Sequence, residues 1–360
     1  MITRTDLVYT PQEMLPPGAT LQEVLEEREM TQSDLATRTG LSTKHVNQII
    51  KGAASISAGT ALLLERATGL SAATWTALES AYQIGLSRRS ETEQLSADLD
   101  WLKLIPTKEL VRRGWIAHKS DPVDLLRDVC NFFGVASRAS WEAVWERPTA
   151  YRRSRAFSSD PVKVAAWLRI GEIKAAAIDC QDFTRAGLLA RLDSLRALTS
   201  HRDPSTWVEP LHSQCSAVGI ALVFEPEITG SRVNGAARWV TPKKALIQLS
   251  LRHRWSDIFW FTFFHEIGHL LLHSKKDVFI NDPGPHSGAE QEADAFAAQL
   301  LIPREHEEKL AILNSDQDVV LFARELGIGP DIVVGRLQYE KRWAYNRGNA
   351  LKRRFVFKAD

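Results

Sequence analysis

The stretch Phe261-Thr262-Phe263-Phe264-His265-Glu266-Ile267-Gly268-His269-Leu270-Leu271-Leu272-His273 decides the reading of the C-terminal part of this 360-residue chain. Its apolar character around two histidines and a glutamate marks a buried helix. Four residues of an α-helix turn through roughly 400°, so His265 and His269 stand one above the other on one face. Two imidazoles at that spacing can share one tetrahedral zinc ion, and Glu266 beside them can take a proton from water. The pattern points to metal-dependent hydrolysis, above all of a peptide bond. A zinc site of this kind needs a third ligand from elsewhere in the fold.

The run Ala289-Glu290-Gln291-Glu292-Ala293-Asp294-Ala295-Phe296-Ala297-Ala298-Gln299-Leu300-Leu301, stopped by Pro303, supplies it. Glu290 and Asp294 are one helical turn apart and share a face. Glu290 can ligate the metal while Asp294 orients a ligand histidine through its other ring nitrogen. Glu292 lies about 200° around the helix from Glu290, and so reads as a solvated surface charge. Glu290 is preferred because its face also carries Ala293 and Ala297, small residues that permit close helix packing. His273 reads as a helix C-terminal histidine favoured by the macrodipole, and Arg336 and Tyr339 are weaker candidates for the site. Upstream, residues 219–224, 236–240 and 245–250 read as strands. The last is expected at a sheet edge, where it could pair with an extended substrate. Ser256 or Asp257 is expected to cap the helix that follows, and a Gly/Pro/Asp loop from Asn281 to Gly288 joins it to the second helix.

The N-terminal end follows a different pattern. After a lead-in carrying Pro11, Pro16 and Pro17, a short amphipathic helix through Leu21, Val24 and Leu25 ends near Met30. Thr31 caps a second helix with Asp34 as its capping-box partner, and Gly40 ends it in a tight turn. Ser42 caps a third helix that buries Val46, Ile49 and Ile50 and stops at Gly52. Further helices are expected around Ala61–Ala67 and from Ala72 to about Tyr82. A short turn followed by a helix with one buried side and polar residues near its start is what a helix-turn-helix requires. Gln32, Thr43, Lys44, Asn47, Gln48 and Lys51 are the candidate DNA contacts. The lysines suit phosphate, and the amides of Asn47 and Gln48 can read adenine edges. The acidic first helix (Glu23, Glu26, Glu27, Glu29) leaves few phosphate contacts, so a homodimer on a palindromic operator is expected.

Composition is that of an ordinary globular chain, 44% apolar and 25% charged, and the net charge of +1 shows no global excess for nucleic acid; any DNA surface must be local. Three cysteines, Cys130, Cys180 and Cys215, are far apart in sequence and form no Cys-x-x-Cys pair. That usage suits a reducing compartment and excludes a cysteine-built zinc site. No signal-peptide pattern opens the chain, and the apolar run 258–272 is too short and too interrupted to span a bilayer. A cytoplasmic protein without membrane contact is expected. Residues 86–97 are polar and read as a continuing exposed helix or a linker, and 98–201 as mostly helical without a chemical motif. The end is basic, through Lys341, Arg342, Arg347, Lys352, Arg353, Arg354 and Lys358. The expected fold is multidomain and mainly α: an all-α helix-turn-helix domain (1–90), a helical middle region (91–204) and an α+β zincin-like peptidase domain with a small sheet (205–360).

The pattern from Phe264 through His273, followed by Glu290-x-x-Ala293-Asp294-x-Phe296-Ala297-x-x-Leu300-Leu301-Ile302-Pro303, resembles the ImmA/IrrE family of metallopeptidases over roughly residues 205–340. The resemblance implies zinc held by His265, His269 and Glu290, with Glu266 as general base. The stretch from Met30 to Gly52 resembles the XRE type of helix-turn-helix, in particular HigA-like antitoxins, over roughly residues 15–82. Together they imply a DNA-binding regulator carrying a zinc endopeptidase that cleaves a repressor or regulatory protein in a stress, phage or toxin–antitoxin response. The competing reading is a non-proteolytic, antitoxin-like repressor whose peptidase fold serves as sensor or dimerisation scaffold.

Overall fold

The computed structural model describes residues 15–146, 160–275, 279–281 and 288–357. Pro11, the loop residues 282–287 and Lys358 lie outside the described residues. The chain divides into two compact units, Met1–Asp98 and Leu99–Asp360.

Among the described residues the first unit holds five helices: α1 (Pro17–Glu27), α2 (Gln32–Thr39), α3 (Thr43–Ile50), α4 (Ala58–Thr68) and α5 (Ala72–Ala97). Their starts are written in the sequence. The Thr31 hydroxyl accepts from the Asp34 amide while Asp34 accepts from the Thr31 amide, a full capping box, and Ser42 caps α3 through the His45 amide. Gly40 ends α2 at φ +73°, in the left-handed region where glycine carries no Cβ penalty. Leu21, Leu35, Val46, Ile49, Leu64 and Trp75 form the core between these helices. A Cβ at Gly18 would fall 2.0 Å from the Ile49 carbonyl oxygen, so α1 and α3 cross at a spacing only glycine permits. The expected fifth helix of residues 72–82 instead runs on to Ala97. The polar 86–97 segment is its continuation, with no proline to end it earlier.

The second unit begins with α6 (Thr107–Arg112), α7 (Pro122–Phe133), α8 (Arg138–Trp141), α9 (Pro161–Ala176), α10 (Arg185–Ala197) and α11 (Pro204–Ser216). Strands β1 (Ile220–Phe224), β2 (Gly235–Thr241) and β3 (Lys244–Leu249) follow, then α12 (Ser256–Leu272), β4 (Phe279–Asn281) and α13 (Gly288–Leu301). Three more helices, α14 (Glu307–Ala311), α15 (Asp316–Leu326) and α16 (Pro330–Tyr339), complete it. The sheet order is β1-β3-β2-β4, with β1 parallel to β3 and the other pairs antiparallel. β3 is therefore interior, and the expected edge position for residues 245–250 is corrected. Ala245, Leu246, Ile247, Gln248 and Leu249 are all buried, which is the pattern of a strand covered on both faces.

Helix α9, from the region without a motif, covers part of that sheet. A Cβ at Gly171 would sit 1.8 Å from Gln248 Oε1, and Gln248 Nε2 donates to the Trp167 carbonyl at 2.8 Å. The apolar core joins β1 and β3 to α12, α13, α15 and α16. Neither Ser256 nor Asp257 is the cap of α12; Trp255 holds that position without a side-chain cap. The helix start is satisfied from the chain's end instead. Arg353 accepts from the Ser256 amide at 3.0 Å and donates to its hydroxyl at 3.1 Å, while Lys352 pairs with Asp257 at 2.6 Å. Among the described residues no helix is long and apolar enough to cross a membrane.

Candidate functional sites

Helix α12 buries almost its whole circumference, from Phe259 and Trp260 through Leu271. In such surroundings polar side chains are costly unless they are mutually satisfied. Yet His265 and Glu266 are fully buried and His269 nearly so. The partner helix α13 comes close enough to supply the missing charge. A Cβ at Gly268 would lie 3.2 Å from the Ala293 Cα, so Gly268 and the buried Ala293 and Ala297 set the approach. Glu290, in the first turn of α13, then reaches over both histidines.

His265 Nε2 lies 3.0 Å from one Glu290 oxygen and His269 Nε2 lies 3.4 Å from the other. The two Nε2 atoms are 2.9 Å apart. These three side chains are the one group of potential metal ligands that converges among the described residues, with ligand atoms all within 4.8 Å of one another. Tetrahedral zinc with bonds near 2.0–2.1 Å would set nitrogen–nitrogen separations of about 3.3 Å, within a few tenths of an ångström of the observed spacing. The donor set, two imidazoles and a carboxylate, is also one that zinc favours. The residues fit such an ion.

Around this triad the partners are fixed. His265 Nδ1 is 2.8 Å from Asp294 Oδ1, the carboxylate–histidine pair expected one turn along α13. His269 Nδ1 is 3.0 Å from His273 Nδ1, and His273 Nε2 is 3.0 Å from Glu292 Oε2. Glu292 keeps the exposed surface position read from the sequence, with 66% of its side chain exposed, and it also stands at the end of a chain through His273 to His269. The i, i+4 spacing of His269 and His273 was the available signal for this chain. Burial pulls the His265 imidazole down, but its hydrogen bonds to Asp294 and Glu290 and the charge of Glu266 outweigh it and raise it to about 10. Burial pushes the Glu290 carboxyl up, and hydrogen bonds with both histidines hold it down at about 2. His269 is lowered, because burial outweighs its bond to Glu290. Carboxylates thus surround the cluster and draw positive charge to it.

Glu266 differs from its neighbours. Among the described residues neither of its carboxylate oxygens has a hydrogen-bond partner, and burial raises its pKa well above the usual carboxylate range. Gly235 of β2 lies against it: a Cβ there would fall 2.6 Å from Glu266 Oε1. Strand β2, which pairs with β4 through Gly235, Ala236 and Ala237, therefore passes beside the candidate base. Arg336 and Tyr339 do not join the triad; Arg336 pairs with Glu340, and both line a cavity beside Asp294.

In the first unit, Thr43, Lys44 and Lys51 are exposed, whereas Gln32, Asn47 and Gln48 are half-buried. Asn47 Nδ2 donates to Gln32 Oε1 at 3.2 Å, which ties the start of α2 to the middle of α3. All six candidate contacts are carried on α2, α3 and the residue that ends α3.

Residues 231–338 match the model of a peptidase family described as the IrrE N-terminal-like domain, and residues 21–75 match a helix-turn-helix family model. The N-terminal segment is similar to an addiction module antidote protein of a HigA family from Coxiella burnetii, at 29% identity and TM-score 0.22, covering 24% of this chain and 95% of that one. It is also similar to the Pseudomonas aeruginosa antitoxin HigA solved with the higBA promoter, at 30% identity and TM-score 0.22, covering 23% of this chain and 90% of that one. No curated protein matches the chain at a significant level. The chain joins an XRE-type helix-turn-helix DNA-binding domain to an ImmA/IrrE-like peptidase-family domain.

Proposed function

We propose that this protein is a DNA-binding regulator whose C-terminal domain is a zinc-dependent endopeptidase directed at a regulatory protein, a repressor or a toxin–antitoxin partner. The observation that carries the enzymatic half is the convergence of His265, His269 and Glu290 beside a buried carboxylate, Glu266, that has no hydrogen-bond partner among the described residues. Zinc held by those three side chains would polarise a scissile carbonyl and acidify water. Glu266 is then the general base, taking the proton and delivering it to the leaving amine. Asp294 holds the His265 ring by its Nδ1, and His273 does the same for His269. Three functional segments, 1–90, 91–204 and 205–360, go with this reading, the middle one contributing support for the sheet through α9.

The DNA-binding half rests on α3. Thr43, Lys44 and Lys51 are free to meet the backbone, while Asn47, steadied by Gln32, and Gln48 read base edges. A homodimer on a palindromic operator supplies the phosphate contacts that one near-neutral copy lacks. A cytoplasmic location goes with both activities.

One observation favours a second reading, the non-proteolytic repressor with a latent or purely structural peptidase fold. Glu266 is 0% exposed, so in this conformation neither water nor a peptide reaches it from solvent. Elemental analysis of the purified full-length protein tests the first reading. One zinc per chain is expected, lost in His265→Ala and in Glu290→Ala. Stoichiometry unchanged by either substitution would remove the metal centre, and with it the peptidase.

A further inference from the structure

A peptide carbonyl has to come beside Glu266 and the two histidines to be cut, and all three are closed to solvent. His265 and Glu266 are 0% exposed and His269 is 1% exposed. The cavity beside Asp294 is lined by none of them. On the sheet side the base is met by β2. A Cβ at Gly235 would stand 2.6 Å from Glu266 Oε1 and 2.6 Å from Thr262 Cγ2, so the β2 backbone lies against α12 with no side chain between.

The main chain of β2 faces two neighbours. One side pairs with β3 between Gly235 and Thr241. The other pairs antiparallel with β4, Gly235 opposite Asn281, Ala236 opposite Ile280 and Ala237 opposite Phe279. β4 also runs close to α12, and it is the outer strand of the sheet. An extended peptide joins a sheet by main-chain pairing with an open strand edge. The edge of β2 that passes Glu266 is already taken, by three residues of the same chain. β4 spans those three residues whereas β2 spans seven, so a longer segment can pair over more of β2 and take its place.

We infer that β4 occupies the position of the substrate strand and holds the proposed peptidase latent. The substrate is then an extended segment of a protein chain that displaces residues 279–281 and pairs antiparallel with Gly235, Ala236 and Ala237. The inference rests on the endopeptidase reading for the cutting of that segment, and on the register of β2 with β4 alone for its docking. Recognition starts from the main chain, so proline is disfavoured at the paired positions of a substrate.

Two variants of the zinc-loaded full-length protein test this. Phe279→Pro combined with Ile280→Pro removes an amide from the ladder whichever of the two donates to β2, because bonded positions alternate along an antiparallel pair. Phe279→Gly combined with Ile280→Gly keeps every amide and weakens the strand more gently. Circular dichroism and zinc content confirm that each is folded. Cleavage of casein should rise about tenfold in the proline variant and less in the glycine variant, as a larger share of molecules becomes competent. The acetylated peptide Asp-Val-Phe-Ile-Asn-Asp, with the sequence of residues 277–282, should bind both variants in calorimetry about tenfold tighter than it binds the wild type. Equal peptide affinity for wild type and variants overturns the inference, as does cleavage that stays level or falls when β4 is weakened. Tighter peptide binding by the variants with no cleavage in any form sinks the endopeptidase reading and upholds β2 as the docking edge.

Discussion

Helices α3 and α12 carry the two functional motifs of this chain in opposite ways. On α3 the candidate contacts are exposed or half-buried, and stability comes from the other side of the helix, Val46 and Ile49. On α12 the functional groups are the core: His265, Glu266 and His269 are as buried as Phe263 and Ile267. A surface site separates function from folding. A buried one merges them, because each polar group there must find a partner or carry a desolvation penalty. Glu266 carries that penalty openly, a pattern expected where stability is traded for chemistry.

Four variants can break or sharpen this contrast. The largest effect is expected for Glu266→Gln. It should lower peptide cleavage by about 10²–10⁴-fold, leave zinc content unchanged, and change the melting temperature little, since burial already disfavours the charged carboxylate. A lower melting temperature with intact cleavage would mean that Glu266 is structural. Next comes the core of the first unit, where Leu35→Ala should cost about 2–5 kcal/mol in denaturant unfolding. That loss should appear in the transition of the N-terminal unit alone.

A smaller effect is expected at the contact between α12 and α13. Ala293→Leu should destabilise by about 1–3 kcal/mol through overpacking against Gly268, and should also weaken zinc binding because Glu290 rides on the same helix. Retained zinc affinity would show that the ligands are positioned independently of the helix spacing. The smallest stability effect belongs to Lys44→Ala combined with Asn47→Ala, about 0.5–1.5 kcal/mol from loss of the half-buried Asn47–Gln32 hydrogen bond, Lys44 being exposed. The same pair should weaken binding to a promoter fragment from the protein's own locus and flatten its salt dependence. Unaltered DNA binding would remove α3 as the reading helix.

Legibility followed the range of the interactions involved. The caps at Thr31 and Ser42, the turn at Gly40 and the pairing of His265 with His269 depend on residues within four or five positions, and each could be read directly. The extent of α5 could not, because a polar stretch without breakers is compatible with helix or linker alike. The position of β3 was misjudged for a related reason: an apolar six-residue run tells that a strand is buried, not which strands flank it. The cap of α12 was missed because its partners, Lys352 and Arg353, lie almost a hundred residues downstream. His273 and Glu292 were each assigned a solitary role, and only the packing of α13 on α12 joins them.

The sequence by itself determined the chemistry available to this protein: two imidazoles and a glutamate on one helix, a capped helix-turn-helix, and an acidic helix with a small-residue face. Helical periodicity is local, so it orders such groups along a single element. The tertiary structure decided which of them meet. Close approach at Gly268 and Ala293 brings Glu290 over both histidines, Asp294 to one and Glu292 to the relay through His273. Helices α12, α13 and α16 leave a cavity beside Asp294. These are relations between helices, set by shape complementarity and by the need to satisfy buried charge, and spacing along a chain does not encode them.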